Sequence, residues 1–295
     1  MNVRGRVVHL TDLADRVLAA HGYPDSVSRA VGEALALAAL LGASLKFEGT
    51  LTLQTRSDGP LRMIVADYAT PGTVRACATF DRAAVDALGA RPAFSELAGA
   101  GSLAITIDPG GDMERYQGIV PLEGEGLADG AMSYFEHSEQ IPTRIKLSVA
   151  TLSARGATDP RPHWRAGGIV MQNLAALGGH EATRPAPESS DDWLRASALF
   201  STIEPHELVD PQVEAERLLY RLFHEEGVRV FEAQTLQFGC RCSADRVASV
   251  LAQYPDEEIQ GLAGEDGQIR ATCEFCSTVY RFAPQDVRDV QSAQT

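Results

Sequence analysis

Four cysteines with the spacing of a metal site lie near the C-terminal end of this 295-residue chain. They form a Cys-x-Cys pair and a Cys-x-x-Cys pair separated by residues 243–272, whereas the fifth cysteine, Cys77, stands alone in an apolar stretch. A structural zinc site is tetrahedral, and its thiolates usually come from two close pairs that the fold brings together. We therefore predict one Zn2+ per chain, with four ligands: Cys240, Cys242, Cys273 and Cys276.

The same sulfurs predict sensitivity to oxidants. Clustered cysteines in a reducing compartment indicate metal or redox chemistry, and the thiolate that binds a metal is also the form that oxidants attack. On extended backbone, residues two apart lie near or beyond the Cα separation of about 5.5 to 6 Å that a disulfide prefers, so a disulfide between Cys240 and Cys242 would bend the chain. Strained disulfides are generally the labile, regulatory ones. The spacing therefore favours a redox switch, and a permanently closed structural zinc module is the alternative that it leaves open.

A small module must position these cysteines. Ser243 is predicted to cap a helix over residues 244–254, and residues 268–272 and 278–282 are predicted to form a hairpin that carries the second pair. About fifty residues with so few large apolar side chains would hardly fold unaided, whereas zinc binding is worth about 10 to 16 kcal/mol in small zinc peptides. Loss of the metal would therefore unfold the module.

The N-terminal part of the chain predicts an α+β core of packed β-sheets with helices. Residues 27–45 are apolar on almost every face, which predicts a helix buried at the centre of this core. Apolar stretches separated by turns such as Ser57-Asp58-Gly59-Pro60 predict short antiparallel strands. The predicted strands cover residues 3–10, 50–55, 61–68, 73–80, 103–108, 115–120, 144–152 and 168–174, and two further helices cover residues 12–21 and 127–137.

Beyond residue 177 the composition changes, because glycine, proline and serine become frequent as in a linker. Two short amphipathic helices are predicted within this part, at residues 191–200 and 213–226. The sequence therefore predicts four parts: a core domain over residues 1–177, a helical linker over 178–238, a small zinc-binding module over 239–288 and a polar tail over 289–295.

Composition excludes several classes of function. A formal net charge of −14 opposes general binding to nucleic acid, because neutralising phosphates requires a basic surface. The first 23 residues contain acidic and basic side chains where a secretory signal needs an apolar stretch, and the most apolar run, residues 34–41, is too short to span a bilayer. We therefore expect a cytoplasmic protein that acts neither on membranes nor on nucleic acid.

An enzyme is not predicted either. The seven histidines show no metal-binding spacing such as His-Glu-x-x-His, no Gly-x-Ser-x-Gly motif is present, and no glycine pair precedes the Gly-Lys-Ser/Thr of a phosphate loop. A zinc-ribbon module that binds nucleic acid is the remaining alternative, and it requires basic and aromatic residues around the cysteines. Here Arg241, Arg270 and Tyr280 are mixed with acidic neighbours such as Asp266 and Glu274.

Motifs along nearly the whole chain, from about Val3 to Arg288, resemble the 33 kDa chaperonin family, the redox-regulated bacterial heat-shock holdases. Several independent motifs occur in the same order as in that family, which makes the resemblance more specific than the cysteines alone. The motifs are Leu45-Lys46-Phe47-Glu48-Gly49, Gln54 with Ser57-Asp58-Gly59-Pro60, Tyr116-Gln117-Gly118-Ile119-Val120-Pro121-Leu122, Tyr134-Phe135 with Ser138-Glu139-Gln140, Arg221-Leu222-Phe223-His224-Glu225-Glu226 and Cys273-Glu274-Phe275-Cys276.

The resemblance implies an ATP-independent chaperone that is inactive when reduced and zinc-loaded and holds unfolded clients after oxidation. It implies oxidised pairs Cys240 with Cys242 and Cys273 with Cys276, a metastable linker that loosens, a homodimer in the oxidised state and a core domain that is the candidate region for clients and dimerisation. Family members usually carry more residues before the segment that is Val3-Arg4-Gly5 here, so the resemblance leads us to expect either a missing first strand or a start codon assigned late.

Overall fold

The computed structural model describes residues 3–45, 48–111, 113–153, 161–174 and 191–294, with side chains to residue 290. Lys46 and Phe47 of the first family motif lie outside the described residues, as does the predicted start of the linker, residues 178–190. The chain divides into two compact units, Met1–Phe238 and Gly239–Thr295. No helix in the described ranges combines the length and the apolar character needed to cross a membrane.

Two β-sheets and seven α-helices are described in the first unit. The strands are β1 (Val3–Leu10), β2 (Thr50–Ser57), β3 (Leu61–Ala69), β4 (Thr73–Phe80), β5 (Gly101–Asp108), β6 (Tyr116–Pro121), β7 (Thr143–Leu152), β8 (His163–Asn173) and β9 (Gln237–Phe238). The helices are α1 (Asp12–Ala19), α2 (Asp25–Gly42), α3 (Arg82–Ala87), α4 (Phe94–Ala98), α5 (Leu127–Tyr134), α6 (Asp191–Ser201) and α7 (Ala215–Phe223), with a π-helical turn at Phe135–Glu139 and 3-10 turns at Pro205–Leu208 and His224–Glu226.

The larger sheet has the strand order β6-β5-β2-β3-β4-β9, and the smaller has the order β1-β8-β7. All neighbours pair antiparallel except β9, a two-residue strand that runs parallel to β4. The predicted α+β class is therefore confirmed.

Helix α2 forms the centre of the first unit and packs against strands of both sheets. Its leucines and alanines are buried on all faces from Ala34 to Leu41, as the sequence predicts. Gly42 ends the helix where a Cβ would lie only 2.2 Å from the ring of Tyr68, so a larger residue would push the helix away from the sheet. Burial of this helix accounts for the position of the main core.

A second apolar cluster lies on the smaller sheet. Ile169 and Met171 of β8 pack there against side chains from the helical segment 191–226. The buried members from that segment are Trp193, Ala196, Phe200, Ile203, Leu208, Leu218 and Leu222.

The second unit has its own small core. Its elements are α8 (Ala244–Leu251), α9 (Asp256–Gly261), β10 (Ile269–Thr272), β11 (Val279–Phe282) and α10 (Pro284–Gln294), and β10 pairs antiparallel with β11. Ser243 caps α8 by accepting a hydrogen bond from the Arg246 amide, which confirms the predicted helix. The pairing of β10 with β11 confirms the predicted hairpin. Its core contains Ala248, Ala252, Ile259, Ile269, Phe282 and Val287.

One predicted boundary was wrong. Strand β8 begins at His163, five residues earlier than predicted, because Gly167 stays in the strand and lets the Leu208 carbonyl lie against the backbone. Helix α10 continues through the polar segment after Val287; the Ala283 amide donates a hydrogen bond to the Asp286 carboxylate, and Val290 packs on the module core.

Candidate metal centre

The structure brings the four predicted ligands together. The Sγ atoms of Cys240, Cys242, Cys273 and Cys276 all lie within 4.8 Å of one another, and each side chain is half-buried. Cys240 Sγ lies 3.3 Å from Cys242 Sγ and 3.6 Å from Cys273 Sγ, and Cys242 Sγ lies 3.4 Å from Cys276 Sγ. Cys77 is remote from this cluster in sequence and is buried in β4.

These separations fit a tetrahedral metal ion. Zn–S bonds of about 2.3 Å in a regular tetrahedron place the sulfurs about 3.8 Å apart. The three Sγ–Sγ distances of 3.3 to 3.6 Å are slightly shorter, so a small outward movement of the sulfurs would admit the ion. Four soft thiolates select zinc or another thiophilic metal over magnesium or calcium.

Local backbone geometry positions the second cysteine pair between β10 and β11. The Cys273 amide donates to the Thr278 carbonyl over 2.9 Å, and the Ser277 amide donates to the Cys273 carbonyl over 2.8 Å. Ser277 adopts a φ of +55°, which closes the turn. The amides of Phe275 and Cys276 point back at Cys273 and hydrogen-bond its sulfur. This turn therefore presents both sulfurs to one point.

Two hydroxyl groups complete the surroundings of the sulfurs, and the sequence analysis did not identify them. Tyr280 donates a hydrogen bond of 3.0 Å to Cys242 Sγ, and the hydroxyl of Thr278 lies 3.2 Å from Cys276 Sγ. Thr278 and Tyr280 alternate along β11 and its approach, so their side chains share one face. That alternation after the last cysteine is the sequence feature that could have identified both residues.

The pKa values of the metal-free thiols differ strongly. Burial raises the pKa of Cys273 to about 12, despite the two backbone amides that lower it. At Cys276 burial raises the pKa, but the Thr278 hydroxyl and amide and the hydrogen bonds to Cys242 and Cys273 outweigh it and lower the pKa to about 7. The hydrogen bond to Cys242 raises the pKa of Tyr280 to about 12, so its hydroxyl stays a donor at neutral pH. Of these two thiols, Cys276 is therefore the more readily deprotonated.

Charges around the centre do not form a basic face. Residues 239–295 contain five arginines and nine carboxylates, a net charge of −4. Arg270, on strand β10 of the hairpin, is paired with Asp266 at 2.5 Å. A nucleic-acid-binding ribbon would require the opposite balance.

Comparison with known proteins agrees with the motifs. The family model for Hsp33 protein matches residues 1–283. The 33 kDa chaperonin of Caulobacter vibrioides strain NA1000 is 46% identical over 286 residues, which cover 96% of this chain and 91% of that protein. The 33 kDa chaperonin of Pseudomonas fluorescens is 37% identical over 287 residues, covering 97% and 88%.

The fold is also shared with a solved structure. The crystal structure of the 33 kDa chaperonin (heat shock protein 33 homolog) of Thermotoga maritima matches with a TM-score of 0.78 and 20% sequence identity, covering 99% of this chain and 94% of that one. The motif order, the family model and the curated relatives lead to one conclusion: this chain belongs to the Hsp33 family, whose curated members are named 33 kDa chaperonin.

Proposed function

We propose that this chain is a chaperone whose holding activity is switched on by oxidation of Cys240, Cys242, Cys273 and Cys276. In the reduced state the four thiolates bind one Zn2+ and the chaperone is inactive. After oxidation it holds unfolded proteins without ATP. Membership of the Hsp33 family supports the chaperone function, and the four-sulfur cluster is the observation that supports the switch.

The metal, when bound, keeps four sulfurs deprotonated and ties two parts of the module together. The chain's own contribution is to hold the sulfurs at that point, through the turn at Ser277 and the hydroxyl groups of Thr278 and Tyr280. The core of the module is small, with Ile259, Ile269 and Phe282 as its large buried members. Removing the metal therefore removes a large share of the module's stability.

Oxidation by a peroxide supplies the trigger. A thiolate attacks one peroxide oxygen, the O–O bond breaks, and the sulfur becomes a sulfenic acid as hydroxide leaves. A neighbouring thiolate then attacks that sulfur and displaces its hydroxyl group, which forms a disulfide. Two peroxides thus convert four thiolates to two disulfides, and the metal loses all its ligands.

We assign the oxidised pairs as Cys240 with Cys242 and Cys273 with Cys276, following the family resemblance. The Sγ atoms of the first pair are 3.3 Å apart. Cross-pairs such as Cys242 with Cys276, at 3.4 Å, are also close, so distance alone does not select the pairing. Peptide mapping of the oxidised protein by mass spectrometry decides between these pairings.

The rest of the chain would convert this local event into client binding. We propose that residues 178–238 form a metastable linker that loosens when the module over residues 239–288 unfolds, and that residues 1–177 carry the client-binding and dimerisation regions. The apolar cluster between the smaller sheet and segment 191–226 supports this, because its separation would expose Ile169, Met171 and Trp193. The oxidised protein would be a homodimer in the cytoplasm.

Two other functions are less well supported. A zinc ribbon that binds nucleic acid conflicts with the net charge of −4 in residues 239–295. We also propose that the chain is not an enzyme, because the four cysteines are adequately explained as metal ligands and oxidant targets. RNA binding that weakens with salt in the reduced protein would favour the zinc ribbon.

The proposed switch can be tested directly by measuring how much zinc the protein releases on oxidation. A chromogenic zinc chelator added to reduced protein should report one equivalent released by excess peroxide, together with the loss of four titratable thiols. Release without disulfide formation, or less than half an equivalent of zinc in the reduced protein, would overturn the proposal.

A further inference from the structure

Helical segment 191–226 covers one face of the smaller sheet. Side chains alternate along a strand, so Val3 and Val7 of β1 share that face with His9. By the same alternation Arg165 of β8 lies on the face of Ile169 and Met171. Helices α6 and α7 pack their apolar side chains on this face, and the whole contact lies within the first unit.

Polar and cation–π interactions hold one end of the segment against the smaller sheet. Lys146 of β7 donates from Nζ to the carbonyl oxygens of Ser201 and Ile203, over 2.7 and 2.6 Å, at the C-terminal end of α6. The Arg144 guanidinium lies 5.4 Å from the ring centroid of Trp193. A cation at a helix C-terminus and a cation over an indole ring are both stabilising. This end of the contact anchors the segment.

The rest of the contact buries polar atoms without partners. Across the described ranges, three buried side-chain nitrogen or oxygen atoms make no hydrogen bond: His9 Nε2, Arg165 Nε and Ser197 Oγ. The first two belong to the covered sheet, and Ser197 lies in α6 one turn after the buried Trp193. An unpartnered polar atom loses its hydrogen bonds to water on burial and gains nothing in return. All three therefore oppose docking of the segment.

His9, which is half-buried and whose Nε2 has no hydrogen-bond partner, lies beside the docked segment. It pairs in the ladder with Gly167, and the Leu208 carbonyl lies so close to Gly167 that a Cβ there would be 1.8 Å away. Burial and neighbouring Arg165 lower the pKa of His9, and Glu216 of α7 partly offsets this. The imidazole is therefore enclosed beside a cation, without an acceptor or a donor for Nε2.

We propose that His9, Arg165 and Ser197 are positioning residues that weaken the docking of segment 191–226 on the smaller sheet and so set how readily the segment is released. The inference rests on the proposed function, since it identifies residues that make the linker metastable. It implies that removing the unpartnered atoms tightens docking while the metal centre is unchanged.

Hydrogen exchange tests this in the full-length, reduced, zinc-loaded protein, where opening of the segment limits exchange of its amides. The variants are Ser197→Ala and Arg165→Met, the second of which keeps an aliphatic stem without the nitrogens. We expect amides of α6 and α7 to exchange about fivefold to tenfold more slowly in each variant. Amides of β3 should be unchanged, which shows that the effect is local.

Serine-to-alanine changes also raise helix propensity, so a matched control is needed. Ser249→Ala in α8 supplies it, because Ser249 is a half-buried helix residue whose hydroxyl is not buried without a partner. We expect α8 to gain less protection from that change than α6 gains from Ser197→Ala. Equal gains, or unchanged or faster exchange of α6 in both variants, would overturn the inference.

Zinc release and client binding, measured in the same two variants, test this inference separately from the proposed function. After peroxide treatment both variants should release zinc at the wild-type rate but hold several-fold less client than the wild type. If the oxidised wild type holds no client, the proposed function fails, while the exchange data still decide the role of Ser197 and Arg165. If Arg165→Met does not fold, Ser197→Ala alone decides it.

Discussion

The Tyr280 hydroxyl donates a 3.0 Å hydrogen bond to Sγ of Cys242, across 38 positions of the chain. Tyr280 lies on β11, whereas Cys242 lies in the segment that precedes α8. A donor of this kind stabilises negative charge on sulfur and fixes the orientation of the ligand. The contact therefore links the two halves of the candidate metal centre without being a metal ligand.

Tyr280→Phe should weaken zinc binding about tenfold, because outer hydrogen-bond partners of ligands typically contribute that much to metal affinity. Competition with a chelator of known affinity measures the change. Tyr254→Phe is the control, since Tyr254 lies in the same module with an exposed side chain. Equal zinc affinity in the Tyr280 variant and the wild type would show that the hydrogen bond does not stabilise the metal-bound thiolate.

Cys273→Ser should abolish stoichiometric zinc binding and unfold the second unit, because one sulfur is lost from a four-sulfur site. Metal analysis of the purified variant gives the first result, and rapid hydrogen exchange throughout α8 and α10 gives the second. Cys77→Ala, in buried β4, should leave the zinc content unchanged. Full zinc in Cys273→Ser would remove Cys273 from the ligand set.

Ile259→Ala should show how far the module depends on its metal. Ile259 is fully buried in the small core of the second unit, so its truncation should cost about 2 to 5 kcal/mol. We expect circular dichroism to show that the zinc-loaded variant is folded but unfolds at a lower chelator concentration than the wild type. Val250→Ala removes an exposed side chain and should behave as the wild type. A chelated Ile259 variant that stays folded would mean that the apolar core suffices.

The carboxyl group of Glu33 should make the stability of the first unit depend on pH. Burial raises the pKa of this α2 carboxyl from 4.5 to about 7, although Arg29 lowers it. Because the folded pKa is the higher one, the folded state binds the extra proton, and stability falls as pH rises from about 4.5 to 7. Between pH 5 and pH 8 the free energy of unfolding should fall by about 2 to 3 kcal/mol through this group.

Glu33→Gln should remove that part of the pH dependence and raise stability at pH 8. Urea unfolding followed by fluorescence of Trp164 and Trp193 measures it. Asp86→Asn, at an exposed carboxylate of α3, is the control and should leave the pH dependence unchanged. Identical pH dependence in Glu33→Gln and the wild type would show that Glu33 ionises normally in the folded protein.

The elements that position the metal ligands could be predicted where one local cause dominates. Ser243 is a capping residue before an amphipathic stretch, and α8 begins there. The β10–β11 hairpin follows from apolar stretches around the Cys273 turn. Helix α2 could be predicted from its apolar faces alone. In each case local propensity and burial favour the same structure.

Other features depend on contacts between distant residues and could not be predicted. The start of β8 was predicted too late because Gly167 indicates a break, whereas the strand needs that glycine to accommodate the Leu208 carbonyl. Strand β9 consists of Gln237 and Phe238, which gain strand geometry only by pairing with Thr73 and Val74 of β4. Likewise, the sequence does not show that His9 Nε2 lacks a hydrogen-bond partner, because this depends on how α7 packs on the smaller sheet.

The most direct test of the proposed function compares oxidised and reduced full-length protein in the aggregation of a thermally denatured client. Light scattering should fall in the presence of peroxide-treated, zinc-free protein, without ATP, and should be unaffected by reduced, zinc-loaded protein. Restoring the reduced state with thiol and zinc should remove the suppression. Equal suppression by both forms would contradict the switch and leave a constitutive chaperone, and suppression by neither form would contradict the holding activity itself.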